Sequence, residues 1–408
     1  MIQKTKWKMT VSSDQLAELS CILYFSMPLI KRLIGQYTYL SIALTFIPAV
    51  LLLCLDRRRQ GWRDFLCLLF AVCFFFLITY FIHPEYEYYY ARKYYGVWDY
   101  VLRPDNGLYA FLFIRLVDDP DKLLKCLLIS AWLMFIDFGI KFVGYLNRGY
   151  WVSVLDGVVR HSTYNLAFGY DVLPFELTFL YVALKNKRLI HWIMAALGFV
   201  MLLAGASRGP MLNILIFLIA YLSVCIQRSK KKIIILGSLG VVAIVLYFGF
   251  TSILNWVSQL LTKAGLSSRM IKMLIAGTAS DDNGRMEIWS RAVQMIQEKP
   301  WGYGAMGSRQ GIYDIISVGH PHNVFLEILI DYGVVAGAGI IIGGFVALFR
   351  ILKMQNIGEW KGLALIYIGG SSQLLLSGTY WHRPGIWVLL AIGISVFYSR
   401  KREREKNG

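Results

Sequence analysis

The sequence predicts an all-α polytopic membrane protein with about twelve transmembrane helices. Mean hydropathy is +0.53, 57% of the residues are apolar and only 16% are charged. Soluble globular domains are less apolar than this. Crossing roughly 30 Å of hydrocarbon at 1.5 Å per residue takes about 20 residues. The 408 residues therefore accommodate about a dozen such helices, and we expect residues 1–408 to form a single transmembrane domain.

Apolar runs of suitable length follow one another along most of the chain. We predict transmembrane segments at about 15–33, 36–55, 65–82, 98–117, 125–146, 164–184, 189–206, 210–227, 233–250, 323–349, 362–379 and 384–399. The fourth is the least uniform, because polar residues between Arg103 and Asn106, and then Arg115, interrupt it.

Positive charges gather on alternate connections between these segments. They include Arg57 to Arg63, Lys185 to Arg188, Arg228 to Lys232, Arg350 to Lys361 and the tail from Arg400 to Lys406. Short cytoplasmic loops are enriched in Lys and Arg, so we predict that both termini are cytoplasmic. The net charge of +17 then reflects topology, with membrane lipid as its partner. A nucleic-acid-binding protein would instead gather these charges on a soluble face.

One connection, residues 251–322, is far longer than the others and lies on the predicted external side. Long loops in compact proteins are usually functional, so we expect it to cap a site. The residues in the middle of this loop predict an amphipathic helix. We expect Pro300 to end the helix and a Gly-rich turn to follow it. The expected caps are Asp281, Asp282 and Asn283, the expected apolar face is Met286, Trp289, Val293 and Ile296, and the turn glycines are Gly302, Gly304 and Gly307.

His322 is the first candidate for chemistry, because it begins the tenth segment and an imidazole titrates near neutral pH. His322 or Asn323 is expected to cap that helix. Asn323, Glu327 and Asp331 follow at spacings of four and form one polar stripe. Carboxylates inside a membrane are costly and usually functional. We expect water or a cation to accompany them, with Arg208, Arg285 and Arg383 as candidate cations.

Arginines near the predicted external surface are candidates for binding an anionic group. Arg208 lies in a short hairpin, Ser207 to Pro210, while Arg285 and Arg291 lie on the loop helix. A guanidinium binds phosphate oxygens through two parallel hydrogen bonds, and the glycine turn could add backbone N–H donors. The alternatives are an interfacial arginine and a solvated helix face. Tyrosines between Glu85 and Tyr95 would form an aromatic belt or stack on sugars.

These sequence motifs, taken in their order along the chain, resemble those of the O-antigen ligase and O-antigen polymerase superfamily of bacterial surface-polysaccharide enzymes. The resemblance covers about residues 160–340, and its most specific part is a His-Asn pair followed nine residues later by Gly. The matching residues are Ser207, Arg208, Gly209, Asn283, Gly284, Arg285, Trp289, Gly302, Gly304, His322, Asn323 and Gly333. Arg291 also precedes Gly302 at a spacing described for polymerases. Ala336 departs from the ligase pattern, which expects Gly, Thr or Tyr there.

The resemblance implies a glycosyltransferase that uses neither metal nor cofactor, at the outer face of the bacterial cytoplasmic membrane. Its donor would be an undecaprenyl-diphosphate-linked oligosaccharide, and its partners a chain-length regulator and a flippase of the same pathway. Catalysis would fall to His322 as the base, with Arg285 and Arg208. Substrate binding would fall to Arg291, Asn323, Glu327, Asp331, Arg160 and Arg383.

Three functions remain open at this stage. A polymerase joins repeat units of O-antigen or capsule, whereas a ligase hands finished glycan to lipid A core or another terminal acceptor. A flippase or transporter of lipid-linked oligosaccharide would also need charged residues in a membrane cavity. Transporters tend to show internal repeats with broken helices in matching halves, and this sequence shows no such repeat. We therefore expect the polymerase.

Overall fold

Helices make up most of the part of the chain that can be described. The computed structural model describes residues 12–35, 37–92, 95–155, 158–162, 165–204, 208–225, 255–256, 258–259, 262–263, 284–316 and 319–407. The first elements are α1 Ser13–Phe25, α2 Met27–Leu33, α3 Thr38–Leu55, α4 Gln60–Ile82, α5 Glu87–Tyr90, α6 Gly107–Leu116, α7 Pro120–Arg148, β1 Trp151–Leu155 and β2 Val158–Ser162. They are followed by α8 Leu166–Asn186, α9 Leu189–Ala204, α10 Arg208–Cys225, α11 Arg285–Glu298, α12 Arg309–Ile312, α13 Val324–Lys353, α14 Trp360–Ser371 and α15 Pro384–Asn407.

Five helices of the described residues are long and apolar enough to cross a membrane. They are Thr38–Leu55, Gln60–Ile82, Pro120–Arg148, Ala167–Asn186 and Val324–Lys353. Each coincides with a predicted segment, so an all-α membrane protein is confirmed as the kind of fold. The shorter apolar helices Leu189–Leu203 and Gly209–Val224 match the seventh and eighth segments. The ninth segment, 233–250, and much of the long loop lie outside the described residues.

The first predicted segment, about 15–33, is divided into two helices instead of forming one. Ser12 caps α1, accepting from the backbone N–H of Gln15 at 3.2 Å. The helix ends at Phe25, and α2 restarts with Pro28 in its first turn. Proline has no N–H and so cannot bond to the carbonyl four residues earlier. The break therefore follows from Pro28.

The fourth predicted segment, about 98–117, is wrong as a single spanning helix. It consists of a π-helical turn, Trp98–Leu102, and the ten-residue α6, which Asn106 caps by accepting from the N–H of Leu108 at 3.1 Å. Ten residues rise only about 15 Å. All ten are buried, and α6 packs against α1, α4 and α15. Arg115 is neutralised there by Asp64 at 2.6 Å.

A two-stranded antiparallel hairpin between α7 and α8 departs from the all-α prediction. It pairs Trp151 opposite Ser162. Gly149 ends α7 with a φ of 75°, a left-handed conformation that favours glycine. The ring of Trp151 then stacks on Tyr145 at 4.5 Å between centroids, which holds the hairpin against the end of α7.

The described part of the long loop includes helix α11, whose buried face agrees with the predicted one only in part: Trp289 and Ile296 are partly buried against the core. The buried residues are Ile288, Ala292 and Met295, which pack with Ile312 and Ile330 in a small separate core. By contrast, 64% of Met286 and 44% of Val293 are exposed. Spacing alone cannot choose between two apolar faces of a helix, because the packing partner decides which one is buried.

The caps and ends of these segments also differ in detail from the predictions. Gly284 is the residue before α11. The predicted caps, residues 281–283, lie outside the described residues. The predicted segment 362–379 ends sooner, because α14 stops at Ser371 and a 3-10 turn, Ser372–Leu375, follows. Residues 376–383 are therefore free to form a turn between α14 and α15, called here the 376–383 turn.

Candidate active site

His322 lies immediately before α13 and is held by the 376–383 turn. Its Nδ1 accepts a hydrogen bond from the backbone N–H of Gly378 at 3.2 Å. Its backbone is left-handed, with a φ of 53°. The preceding Pro321 carbonyl accepts from the indole N–H of Trp289 at 3.0 Å, so the loop helix α11 fixes this corner. The sequence pattern thus identified a residue that three separate segments position.

The imidazole of His322 is held in its neutral form. Burial lowers the pKa of His322 to about 4, and the charge of Arg285 acts in the same direction. In a neutral imidazole one nitrogen is a donor and the other an acceptor. Since Nδ1 accepts from Gly378, the proton resides on Nε2. In this arrangement His322 therefore offers an N–H donor, whereas the sequence had indicated a base.

His320, two residues earlier, is packed beside His322. It is buried, and the two rings lie 4.4 Å apart in an edge-to-face arrangement. Asn323 is the helix cap, as predicted: its side-chain oxygen accepts from the backbone N–H groups of Phe325 at 3.0 Å and Leu326 at 3.2 Å. The amide of Asn323 is thereby committed to the start of α13.

Glu327 and Asp331 are buried in α13, and both bind the 376–383 turn. Glu327 accepts from the hydroxyl of Thr379 at 2.5 Å. One oxygen of Asp331 accepts from the hydroxyl of Tyr380 at 2.7 Å and from the indole N–H of Trp381 at 3.0 Å. We expected a cation or water beside these carboxylates. In the described part of the chain neither forms an ion pair, and neutral donors bind them instead.

The Gly-rich turn after α11 docks on α13. Tyr303 donates its backbone N–H to the carbonyl of Ile330 at 2.7 Å, and Gly304 donates to that of Asp331 at 3.0 Å. Gly307 donates to Gly304 at 3.0 Å. These N–H groups were expected to face a phosphate, but the protein uses them internally. The turn is therefore a joint between the loop and the membrane helix.

Of the candidate arginines, Arg285 is the one whose charge acts on His322. It is half-buried and forms no ion pair with any described residue. Arg291 is committed elsewhere, to Glu298 at 3.0 Å and to the carbonyl of Gly311 at 3.4 Å. Arg383 pairs with Asp171 at 3.5 Å. Because no described carboxylate pairs with its guanidinium, Arg285 stays a candidate for binding an anionic ligand.

Two candidate arginines have side chains outside the described residues. Arg208 begins helix α10, and Arg160 lies in strand β2 opposite Ser153. The motif residues Ser207 and Asn283 also lie outside the described residues. Their proposed roles accordingly rest on the sequence pattern alone.

Arg309 is a buried cation that sequence reasoning missed. Only 2% of it is exposed. One guanidinium nitrogen donates to the carbonyl of Tyr89 at 3.3 Å, the other terminal nitrogen has no hydrogen-bond partner, and the group lies 5.2 Å from the ring centre of Tyr100. Its charge also acts on Glu327. No spacing marks this arginine, although a cation just after a Gly-rich turn was a signal that could have been followed.

Part of the tyrosine-rich segment is a packing surface for the loop. Tyr90 donates its hydroxyl to the carbonyl of Ala305 at 2.8 Å, and Tyr86 is 2% exposed. The rings of Tyr88 and Tyr89 lie 6.1 Å and 5.6 Å from that of Tyr313. These tyrosines thus hold the loop, in addition to the two roles weighed from sequence.

Known proteins were compared with the chain once this geometry was established. A family model described as O-antigen ligase matches residues 193–341. No curated protein matches, and no solved structure does. The matched range includes Arg285, Gly302, His322 and Gly333, which are the residues that carried the resemblance in the sequence. Residues 193–341 are therefore similar to the O-antigen ligase family, and this similarity supports the resemblance found in the sequence.

Proposed function

We propose that the protein is a polymerase of surface polysaccharide, O-antigen or capsule. It would transfer glycan from an undecaprenyl-diphosphate carrier to a sugar hydroxyl of the acceptor: the bond from the anomeric carbon to the diphosphate breaks, the hydroxyl oxygen bonds to that carbon, and the hydroxyl proton passes to the leaving diphosphate. One observation carries the proposal: within the family match, Arg285, which pairs with no described carboxylate, acts on a neutral His322 at the start of a membrane helix. This combination suits a donor whose leaving group is a lipid diphosphate.

The chemistry requires stabilisation of charge as the glycosidic bond to the diphosphate breaks. Negative charge grows on the leaving oxygens, and preorganised cations and hydrogen-bond donors lower the energy of that state. Arg285 would supply a fixed positive charge without a metal ion. Arg208, at the start of α10, would supply a second, together with the N-terminal N–H groups of that helix.

His322 would donate a hydrogen bond from Nε2–H to an oxygen of the substrate. Its Nδ1 is held by Gly378, and a nitrogen with a pKa near 4 takes up a proton poorly at neutral pH. Glu327 and Asp331 would act indirectly, by holding the turn that carries Gly378. The residues proposed to touch substrate are therefore Arg285, Arg208 and His322, with Asn323, Arg160, Arg291 and Arg383 in supporting positions.

Localisation to the cytoplasmic membrane, with the site on its outer face, follows from the charge asymmetry of the loops. A reporter enzyme fused after Gln310 should be active only outside the cytoplasm, and one fused after Gln227 only inside. A cytoplasmic signal from the Gln310 fusion would place the site on the wrong side for this reaction.

The alternative is a ligase that transfers finished glycan to lipid A core or another terminal acceptor. The description of the matching family favours it. Ala336, which stands where the ligase pattern expects Gly, Thr or Tyr, is exposed on α13 and favours the polymerase. Nothing in the comparisons favours a transporter.

The product profile of a deletion strain tests the proposal. Lipid-linked glycans would be extracted from cells lacking the gene, with and without the wild-type gene on a plasmid. Single repeat units on the carrier, restored to long chains by the plasmid, are the expected result. Long chains that stay on the carrier would instead identify a ligase. Repeat units trapped on the cytoplasmic side would identify a transporter, and both of these outcomes would overturn the polymerase.

A further inference from the structure

A groove lies at the other end of α13, whose 30 residues begin next to His322 and are interrupted by a kink at the non-helical Gly333. Its volume is about 810 Å³. Its lining combines apolar and cationic side chains: Phe345, Val346, Phe349, Arg350, Lys353, Met354, Gln355 and Arg400. Among the described residues, no carboxylate lines it. The groove takes no part in the proposed transfer reaction.

The apolar side of the groove is exposed at the end of a membrane-spanning helix. The exposed fractions are 57% for Phe345, 44% for Val346 and 58% for Phe349. A Cβ added at the neighbouring Gly343 or Gly344 would meet nothing within 4 Å. An apolar wall with open space beside it, within the hydrocarbon region, suits an acyl chain.

Three cations close the end of the groove, and none forms an ion pair with a described residue. The side chain of Arg400 donates from Nη2 to the carbonyl of Gln355 at 3.1 Å, while its Nε is buried without a partner. The ammonium of Lys353 lies 4.2 Å from the ring centre of Phe349. Arg350 completes the set.

Another charged cavity of the protein makes a useful contrast. It also lies at helix ends, but its cations are already neutralised. Lys122 and Arg59 there pair with Asp14 at 2.9 Å and 3.0 Å, and Arg402 pairs with Asp118 at 3.5 Å. Arg402 is only two residues from Arg400 on α15. The groove differs from this cavity in that none of its three cations pairs with a described carboxylate, and uncompensated positive charge favours an anionic occupant.

We propose that this groove binds an anionic phospholipid of the membrane leaflet that meets the C-terminal end of α13. One acyl chain would lie along Phe345, Val346 and Phe349. The headgroup phosphate would bind Arg350, Lys353 and Arg400. Guanidinium groups suit phosphate oxygens because they donate parallel hydrogen bonds. The lipid would anchor the two helices that end there, α13 and α15.

Native mass spectrometry of the full-length protein from phosphatidylglycerol nanodiscs tests this site. Wild type should retain a bound phosphatidylglycerol, and it should retain phosphatidylcholine far less when that lipid replaces it. Arg350→Gln and Arg400→Gln should each lower the retained fraction about fivefold, the usual effect of one cation near an anionic surface. Lys401→Gln is the matched control, since Lys401 neighbours Arg400 but does not line the groove.

The apolar half of the site is tested independently of its charges. Val346→Trp should displace the lipid although all three cations remain, because the indole would fill the groove. Equal retention of both lipids, or equal loss in the Lys401→Gln control, would overturn the proposal. A photo-crosslinking side chain at position 346 should capture a lipid. Capture of a peptide from residues 226–254 instead would show that the chain itself fills the groove.

Discussion

Gly302 and Gly333 meet backbone to backbone where the long loop joins helix α13. A Cβ on Gly302 would lie 2.5 Å from the backbone nitrogen of Gly333, and one on Gly333 would lie 2.8 Å from the carbonyl oxygen of Pro300. Both residues have a positive φ, 99° and 77°. The backbone N–H of Val334 donates to that same carbonyl at 2.7 Å. Two glycines of the family pattern therefore form one joint, which positions Asp331.

Gly333→Ala should disrupt this joint and abolish most polymer formation. The added Cβ would meet backbone atoms that cannot move aside, and the left-handed φ adds roughly 1–3 kcal/mol of strain. Polymer length on gels and the melting temperature of the purified protein are the measurements. Gly339→Ala is the control on the same helix, because a Cβ there meets nothing within 4 Å. A Gly333→Ala protein with wild-type polymer would show that the joint is adaptable.

The sequence was sufficient to predict the membrane class, the five long apolar helices and the cap at Asn323. Hydropathy and capping depend on neighbouring residues, so local patterns carry them. The break before Pro28 was missed because the apolar run around the proline was taken as one segment. The polar residues from Arg103 to Asn106 marked the fourth segment as the least uniform, but its division into a π-helical turn and the short α6 was not predicted. Pro28 and the residues from Arg103 to Asn106 contain helix-ending signals, and the helices of the structure are interrupted there.

The candidate site residues could be chosen from the sequence, but their contacts could not. His322, Glu327 and Asp331 were identified from spacing, yet their partners Gly378, Thr379 and Tyr380 come from a turn about 50 residues away. No pattern within one helix indicates which distant segment folds against it. The same reason explains why a cation was expected beside the carboxylates where hydroxyl and indole donors lie.

Arg309→Met should reduce activity more than it reduces stability. The buried guanidinium has one nitrogen without a hydrogen-bond partner and no carboxylate partner among the described residues. Replacing an incompletely paired buried charge by an apolar side chain of similar volume is often neutral for stability. We expect at least a tenfold loss of polymer synthesis if its charge serves the site, with little change in melting temperature. Unchanged synthesis would mean that Arg309 only packs against Tyr100.

Arg285→Lys and Arg291→Lys should have opposite effects on function and structure. Arg285 is proposed to bind diphosphate oxygens through two parallel hydrogen bonds, which a lysine cannot reproduce although its charge is the same. Synthesis should fall at least tenfold while the protein remains abundant. Arg291 is bound to Glu298 and Gly311, so its replacement should lower the melting temperature and spare most activity. Initial rates with a lipid-linked donor, normalised to protein amount, distinguish the two. If Arg291→Lys lost synthesis and Arg285→Lys lowered only the melting temperature, the two proposed roles would be exchanged.

Two substitutions of His322 and the pH profile of the wild-type rate together distinguish a hydrogen-bond donor from a base. His322→Ala should lower synthesis by roughly 100-fold to 1,000-fold, the usual effect of losing one donor to a developing anion. His322→Gln should retain part of the synthesis that His322→Ala loses, because the glutamine amide N–H can lie near the position of the imidazole Nε2–H. His320→Gln is the matched control and should remain near wild type, since His320 does not receive the Gly378 hydrogen bond.

The acid limb of the wild-type rate profile gives the second test of the same residue. Burial lowers the pKa of His322 to about 4, so the imidazole stays neutral as pH falls from 8 to about 5. Below that range protonation of Nδ1 would expel the N–H of Gly378, and synthesis should decline through about pH 4. A base of ordinary pKa predicts instead a decline near pH 6.5. If the rate falls near pH 6.5 in wild type, and His322→Gln is as inactive as His322→Ala, then His322 is the base and the Gly378 contact must open during turnover.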